Sequence, residues 1–556
     1  MLPVILSPLV TASFVWLILI VCAAFSPSHS YFHIFLILCG TPFGHLFSVV
    51  LLSWAFYLIR FLGHLCRLLF EPISQRWKIR YQYSSLPSTV DKDAVEGDSC
   101  SKSSDPQQAR APRTEILLDL AASATLYFGL CLFAYIFWSP PTFNLENTPE
   151  ASLNFPPIFE FGASTSAYQV EGYNFNSQWS RFENETGIER CGAAADMWNR
   201  FESDIEKLIV AEDGLHLDAL RISIEWSRVE PKQGMFDEEA LDRYASWISL
   251  LRANRIKPMV TLHHFTNPIW FEDLGAFENV TAPLLITPFV RKVVDRLGPE
   301  VDTWITINEI MVYAGNGYLM GEFPPGRKGE LRTMLKVVKN MLKCHEAMYH
   351  VIKQTNPEAS VSIAKNTILY QPTSYFDLIS IVTATISDVY YNAMPIRVLE
   401  QEGTIDFLGV NTYIRMKVAR FGSLMGFVDP PDRQNDMGWD LEPQVLYQVV
   451  KQYHSYMPRL DIMITEHGVA DGDMPDVRRV GFLRDSLIGL AVAMNEEHLP
   501  ITSYYHWSLV DNFEWSSGYA PHFGLFYIDL PHNQTRRITE GGRLYKEIIE
   551  SRKIPL

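Results

Sequence analysis

Two stretches, Thr303-Trp-Ile-Thr-Ile-Asn-Glu309 and Asp461-Ile-Met-Ile-Thr-Glu466, decide the fold of this chain. Each is an apolar, β-branched run that ends in a glutamate. Strands of a closed parallel sheet are buried on both faces, so they read as continuous apolar runs. A carboxylate at the end of such a run is costly unless its surroundings are polar. In an eight-stranded βα barrel that end is the functional face, which makes Glu309 and Glu466 a candidate acid and nucleophile.

The rest of the chain from residue 140 alternates short apolar runs with longer amphipathic stretches, as repeated βα units do. The predicted strands are 159–165, 219–226, 257–265, 303–309, 360–368, 406–413, 461–468 and 502–509. A doubly wound open sheet is the competing architecture. It is disfavoured because polar residues end most of these runs, and not only two at a switch point. We therefore predict an α/β fold, a (β/α)8 TIM barrel, over residues 139–556.

The N-terminal part of the chain is predicted to lie in a membrane. Residues 1–59 contain no Lys, Arg, Asp or Glu, and apolar spans fall at Pro3–Phe25, Phe43–Leu62 and Ile116–Trp138. Each reaches the roughly 20 residues that cross a bilayer. A cleaved secretory signal is the alternative for the first span, but no basic residue precedes it and a second span follows closely. The expected order is two transmembrane helices in 1–62, a disordered cytosolic linker in 63–115 and a third helix in 116–138.

Charge indicates the orientation of the large domain. Basic residues concentrate in 63–114, which the positive-inside rule assigns to the cytosol. The large domain is then lumenal or extracellular, in the secretory pathway, at the cell surface or in a vacuole. Its 38 basic and 55 acidic side chains argue against a nucleic-acid partner. Sequons at Asn184, Asn279 and Asn533 permit a glycoprotein.

Polar and aromatic side chains follow several of the predicted strands. Carboxylates and amides accept and donate hydrogen bonds to hydroxyl groups, and indoles stack on the apolar face of a sugar ring. Because the carboxyl ends of barrel strands share one face, these groups predict a sugar-binding site. We find no phosphate-binding glycine loop and no zinc-ligand spacing, so we expect neither a metal nor an organic cofactor.

Four motifs carry a resemblance to a known family. They are Phe161-Gly-Ala-Ser-Thr-Ser-Ala-Tyr-Gln-Val-Glu-Gly172, Thr306-Ile-Asn-Glu309, Ile464-Thr-Glu-His-Gly468 and Trp507-Ser-Leu-Val-Asp-Asn-Phe-Glu-Trp515. In this order, residues 155–550 resemble the family-1 glycoside hydrolases, which are retaining β-glucosidases and their relatives. The resemblance implies a βα barrel with the acid/base on strand four and the nucleophile on strand seven.

The resemblance also implies a role for each matched residue. Glu466 corresponds to the nucleophile and Glu309 to the acid/base. Arg221 and Tyr413 correspond to residues beside the nucleophile, and Asn308 to the residue that binds the 2-hydroxyl. The positions that bind the other glycone hydroxyls, and the platform on which the sugar stacks, correspond to Gln169, His264, Glu514, Trp515 and Trp507.

Three positions depart from the family pattern: Ile310 replaces a usual Pro, His467 a usual Asn and Phe265 a usual Trp. The expected function is a membrane-anchored retaining β-glucosidase that acts on terminal β-glucosyl residues of a glucoside, oligosaccharide or glycolipid. Two alternatives stay open. One is a transglycosylase that uses the same site, and the other is a catalytically silent sugar-binding membrane protein.

Overall fold

The structure is a computed structural model that describes residues 121, 123–129, 132, 135, 141–145, 148–418 and 434–555. The described residues divide into a large unit, within 140–371, 384–418 and 422–556, and a small unit that includes 372–383. The first two predicted membrane spans and the predicted linker lie outside the described residues, and the third span is described only in part. Among the described residues, no helix combines the length and the apolar character that a membrane crossing needs.

Eight parallel strands form a closed barrel in chain order, and β1 pairs with both β2 and β8. This confirms the predicted (β/α)8 barrel. The strands are β1 Glu160–Ser164, β2 Ala219–Ser223, β3 Lys257–His263, β4 Thr303–Asn308, β5 Ser360–Pro372, β6 Leu408–Val418, β7 Ile462–His467 and β8 Ile501–Trp507. An antiparallel hairpin, β9 Phe526–Asp529 and β10 Thr535–Ile538, follows the barrel.

Helices connect the strands and cover the outside of the barrel. They are α1 Ala167–Glu171, α2 Gln178–Thr186, α3 Met197–Asp204, α4 Trp226–Val229, α5 Glu238–Ala253, α6 Ile269–Asp273, α7 Ala282–Leu297, α8 Ile310–Gly315, α9 Leu331–Thr355, α10 Leu378–Asp388, α11 Met394–Glu402, α12 Gln444–Tyr456, α13 Val477–Asn495 and α14 Glu540–Ser551. The side chain of Asp237 accepts a hydrogen bond from the backbone N–H of Ala240, which fixes the start of α5.

One buried layer fills the barrel, with one residue contributed by or next to most of the strands. Its members are Ala219, Met259, Ile305, Ala364, Phe407 and Tyr505. Burial of a large apolar side chain stabilises the fold by about 1.5–3 kcal/mol. Because Ala219 begins β2 and Phe407 directly precedes β6, this layer fills the interior toward the amino ends of the strands.

The strand pairing is irregular near the two predicted catalytic glutamates. The register shifts between Ile305 and Asn308 on β4, between Val410 and Asn411 on β6, and between Ile464 and His467 on β7. Such bulges turn side chains away from the regular pleat and are common beside active sites. Glu309, directly after β4, has a left-handed backbone with φ 47° and ψ 58°. A left-handed non-glycine residue is strained, and such strain concentrates at functional sites.

Candidate active site

Glu466 lies at the end of β7 with both carboxylate oxygens engaged. Arg221 Nη1 is 2.5 Å from Oε1, and the Tyr413 hydroxyl donates a hydrogen bond of 2.8 Å to Oε2. Arg221 is fully buried. Burial raises the pKa of Glu466, whereas the Arg221 charge and the Tyr413 hydrogen bond lower it. The two contacts therefore favour the ionised form of this carboxyl group.

The guanidinium of Arg221 is itself fixed by neighbouring strands. Its Nε donates to Thr261 Oγ1 at 2.9 Å, and its Nη2 donates to Asn308 Oδ1 at 2.7 Å. A planar guanidinium with several directed hydrogen bonds has little freedom to rotate. Arg221 thus holds Glu466 and Asn308 in a fixed relation.

Glu309 has a different environment. Its Oε1 accepts hydrogen bonds from two neutral amides, Asn411 Nδ2 at 2.8 Å and Asn366 Nδ2 at 3.3 Å. Burial, together with the negative charge of Glu466, raises the pKa of Glu309 to about 8. Two neighbouring carboxyl groups that differ in this way divide into one acid and one anion. The proton is therefore held by Glu309, because, of the two carboxyl groups, Arg221 contacts Glu466.

Asn308 joins the charged pair to His264. Its Nδ2 lies 3.1 Å from His264 Nε2, so the amide donates and the imidazole nitrogen accepts. Burial, assisted by the charge of Arg221, holds the pKa of His264 well below its ordinary value. The imidazole is therefore neutral with its proton on Nδ1, and Nδ1 has no hydrogen-bond partner within the described part of the chain.

Gln169 and Glu514 form a second polar pair. Gln169 Nε2 donates to the carbonyl oxygen of Phe513 at 3.0 Å and to Glu514 Oε2 at 3.3 Å. Asn512 Nδ2 donates to the same oxygen at 2.7 Å. Burial raises the pKa of Glu514 to about 7. Gln169 Oε1 is buried and has no partner among the described residues, so it can accept a hydrogen bond from a ligand hydroxyl.

Aromatic rings surround His264. The His264 ring centroid lies 6.0 Å from that of Trp507 and 6.2 Å from that of Trp515, at interplanar angles of 24° and 20°. Trp515 also stacks on Tyr168 and packs against Phe265. These contacts place both tryptophans next to a predicted glycone residue.

The three departures occupy packed positions. Ile310 is fully buried at the start of α8. The His467 Nδ1 lies 2.9 Å from the Tyr504 hydroxyl, and its ring stacks on Phe482 of α13. Phe265 packs between Phe323 and Trp515. Among the described contacts, none of the three side chains hydrogen-bonds to Glu309 or Glu466.

Two residues that contact Glu309 were not assigned to the site from the sequence. They are Asn411 of β6 and Asn366 of β5. Thr465 Oγ1 donates to Asn411 Oδ1 at 2.7 Å, and the Tyr391 hydroxyl donates to Asn366 Oδ1 at 2.7 Å. These contacts leave each amide nitrogen free to donate to Glu309. Polar residues late in a predicted barrel strand were the signal for both.

The model of the family Glycosyl hydrolase family 1 matches residues 151–385 and 390–554. The chain belongs to glycosyl hydrolase family 1. It is therefore a retaining O-glycosyl hydrolase.

Individual relatives extend the comparison. Beta-glucosidase A of Thermotoga maritima is 28% identical over 445 residues, which is 71% of this chain and 98% of that protein. The solved structure of a beta-glycosidase from Pyrococcus horikoshii is 32% identical with a TM-score of 0.66, and the match covers 73% of this chain and 96% of that one. The galactolipid galactosyltransferase SFR2, chloroplastic, of Arabidopsis thaliana is 28% identical, over 64% of this chain and 58% of that protein. The relatives of this family 1 chain thus include proteins named as glycosidases and one named as a glycosyltransferase.

Proposed function

We propose that this family 1 enzyme is a β-glucosidase that removes terminal β-D-glucosyl residues by double displacement. The observation that carries the proposal is the unequal environment of its two carboxyl groups. Glu466 is paired with Arg221 at 2.5 Å, whereas the hydrogen bonds described for Glu309 come only from amides. One carboxyl group is therefore suited to attack carbon 1, and the other is suited to donate a proton.

In the first step a Glu466 oxygen attacks carbon 1 of the sugar. The bond between carbon 1 and the aglycone oxygen breaks, and its electron pair goes to that oxygen, which takes the proton of Glu309. In the second step Glu309 removes a proton from water, the water oxygen attacks carbon 1, and Glu466 departs as a carboxylate. Two inversions give net retention of configuration.

Two polar groups that have no partner among the described residues support a sugar as ligand. Gln169 Oε1 accepts and His264 Nδ1 donates, a combination suited to hydroxyl groups, which do both. Glu514 adds a carboxylate at the same side through its contact with Gln169. A buried carboxylate repels an anionic substituent, so we expect a neutral glycone in preference to a phosphorylated one. Similarity to a β-glucosidase of Thermotoga maritima supports glucose.

Product analysis tests this proposal. The protein is incubated with an aryl β-glucoside, and the anomer released first is followed by proton NMR before mutarotation. We expect β-glucose from the wild type and none from Glu466→Gln. First release of α-glucose, or no release from folded wild-type protein, would contradict the proposal. The latter result would favour the silent sugar-binding alternative.

Transglycosylation is the second candidate, because one relative is named a galactolipid galactosyltransferase. Glu309 and Glu466 are only 7% and 4% exposed, and exclusion of water would favour a competing alcohol acceptor. An acceptor series that includes short alcohols and galactolipid vesicles tests this. Transfer products in excess of glucose at low acceptor concentration would replace hydrolysis as the main activity.

We also propose that the chain is an integral membrane protein with its catalytic domain on the lumenal or extracellular side. The support is sequence alone: three apolar spans, and basic residues concentrated between the second and third. The substrate would then be a glucoside, an oligosaccharide or a glycolipid near the membrane. Retention in the pellet after alkaline extraction, with the catalytic domain protected from protease in intact vesicles, is the expected result. Release into the supernatant would contradict the anchor.

A further inference from the structure

A buried lysine lies close to the proposed acid/base. Lys365 is on β5, and it is only 1% exposed. An ammonium group is costly to bury unless it is paired and hydrogen-bonded. Within the described part of the chain, its Nζ donates to the carbonyl oxygen of Asn366 and takes part in no ion pair. No carboxylate of the described residues therefore neutralises the positive charge of Lys365 by direct contact.

A short chain of contacts joins this ammonium to Glu309. The Lys365 Nζ lies 4.2 Å from the centroid of the Tyr391 ring. The Tyr391 hydroxyl donates to Asn366 Oδ1 at 2.7 Å, and Asn366 Nδ2 donates to Glu309 Oε1 at 3.3 Å. A cation over an aromatic face is stabilised by up to about 2 kcal/mol when it is desolvated. The ring of Tyr391 thus holds the ammonium beside the amide that contacts Glu309.

Two negative groups act on Lys365. They are Glu309 at the end of β4 and Asp388 of α10, and both oppose the effect of burial, which lowers the pKa of Lys365 to about 7. Asp388 is already satisfied by three uncharged donors. They are the Tyr456 hydroxyl and the amides of Asn392 and Gln452. An anion at Glu309 raises the proton affinity of Lys365, so the two charges appear together.

Apart from Lys365, the ionisable groups near Glu309 are an anion, two neutral hydroxyls and an arginine that is already paired. Glu466 supplies a negative charge, and the hydroxyls of Tyr413 and Tyr391 stay neutral because burial raises their pKa well above the ordinary value. Arg221 is engaged by Glu466. Among the residues that the structure describes, Lys365 is therefore the cation that remains to balance Glu309 when it loses its proton.

We propose that Lys365 is a positioning residue whose positive charge stabilises the Glu309 carboxylate in the glycosyl-enzyme intermediate, an inference that rests on the proposed function. In that intermediate Glu466 is esterified to carbon 1 and uncharged, and the proton of Glu309 has left with the aglycone. Glu309 must stay ionised until it removes a proton from water. The Lys365 charge keeps it in that form.

The test isolates the second chemical step. With 2,4-dinitrophenyl β-glucoside the leaving group needs no acid, so kcat reports attack of water on the intermediate. Lys365→Gln removes the charge and should shift the acidic limb of the kcat pH profile upward by about 0.5–1 unit. On the acidic side of the limb, kcat should fall about 3- to 10-fold. The difference should disappear at alkaline pH. Lys365→Met is the second neutral variant, should Lys365→Gln fail to fold.

Two controls distinguish a charge effect from a packing effect. Lys365→Arg keeps the charge and should keep the wild-type limb. Asp388→Asn weakens the Lys365 charge without removing it, because Asp388 is one of the two carboxylates that raise the pKa of Lys365, so the limb should move less than in Lys365→Gln. An equal loss of kcat at every pH in Lys365→Gln would overturn the inference. A limb that moves further in Asp388→Asn than in Lys365→Gln would overturn it as well, because the effect would then come from Asp388 and not from the Lys365 charge.

The same experiment separates this inference from the proposed function. Wild-type protein should release dinitrophenolate in a burst and then turn over steadily. An absence of turnover in folded wild-type protein would refute the β-glucosidase proposal, and the role of Lys365 would fall with it. Normal wild-type turnover, with an unmoved limb in both neutral variants, would refute the role of Lys365 alone.

Discussion

The hydroxyl of Tyr413 donates a hydrogen bond to Glu466, so its removal tests what keeps this carboxyl group ionised. Tyr413→Phe removes one donor, at 2.8 Å from Glu466 Oε2, and leaves the ion pair with Arg221 in place. A hydrogen bond to a charged group contributes about 1.5–3 kcal/mol, and one pKa unit corresponds to about 1.4 kcal/mol. Because Tyr413 lowers the pKa of Glu466, its removal should raise that pKa by about 1–2 units.

The pH profile of kcat/KM with an aryl β-glucoside measures this shift. Its acidic limb requires ionised Glu466 in the free enzyme, so the limb should move upward by about 1–2 units in Tyr413→Phe. Activity should fall about 10- to 100-fold on the acidic side and much less at alkaline pH. Tyr173→Phe is the matched control, because Tyr173 is 48% exposed. A folded Tyr413→Phe variant whose limb stays at the wild-type pH would refute the reasoning.

Three other substitutions follow from the site. Because burial raises the pKa of Glu309 from 4.5 to about 8, folded wild type loses stability as the pH rises through this range. Glu309→Gln should therefore melt a few degrees higher than wild type at pH 8 but not at pH 4.5 in calorimetry, and equal melting temperatures at both would contradict this. Burial raises the pKa of Glu514 to about 7, so the carboxylate is present above this pH and the neutral acid below it. Glu514→Gln should therefore lower kcat/KM roughly 5- to 30-fold above pH 7 and less below pH 6. A loss of kcat/KM that does not vary with pH would contradict this. A Cβ at Gly468 would lie 2.0 Å from the carbonyl oxygen of Trp507, so Gly468→Ala should lower both the melting temperature and the activity. Gly481→Ala, with open space inside α13, should leave the activity unchanged and should not lower the melting temperature.

The strand order and most strand positions could be predicted because the signal is local. The fourth and seventh strands were predicted at 303–309 and 461–468, and they are found at Thr303–Asn308 and Ile462–His467. Strands buried on both faces need continuous apolar runs, and polar residues follow where the barrel opens. The family resemblance placed Arg221 and Tyr413 beside the nucleophile, and the structure brings both into contact with Glu466.

The surroundings of Glu309 were harder to predict. β5 and β6 continue to Pro372 and Val418, beyond the predicted ends at 368 and 413. Asn366 and Asn411 therefore lie inside strands that continue past the predicted ends, and their contacts with Glu309 depend on how these strands pair. The shifted register at Asn411 and the left-handed backbone of Glu309 depend on contacts between strands. Such features have no local sequence pattern.

Helix irregularity was missed for a similar reason. The amphipathic pattern of Met197–Val210 predicts a single helix, but α3 ends at Asp204 and a π-helical turn continues over Ile205–Val210. Both conformations place apolar residues on one face, so periodicity does not distinguish them. The predicted membrane spans Pro3–Phe25 and Phe43–Leu62 remain predictions, since they lie outside the described residues.

The central claim is that Glu466 forms a covalent bond to the sugar, and covalent trapping tests it most directly. The full chain in detergent is treated with a 2-deoxy-2-fluoro-β-glucoside, and the labelled peptide is identified by mass spectrometry. The account predicts one adduct per chain, located on Glu466 and absent in Glu466→Gln. Labelling of another carboxylate, or no labelling of folded protein that still binds glucosides, would contradict it.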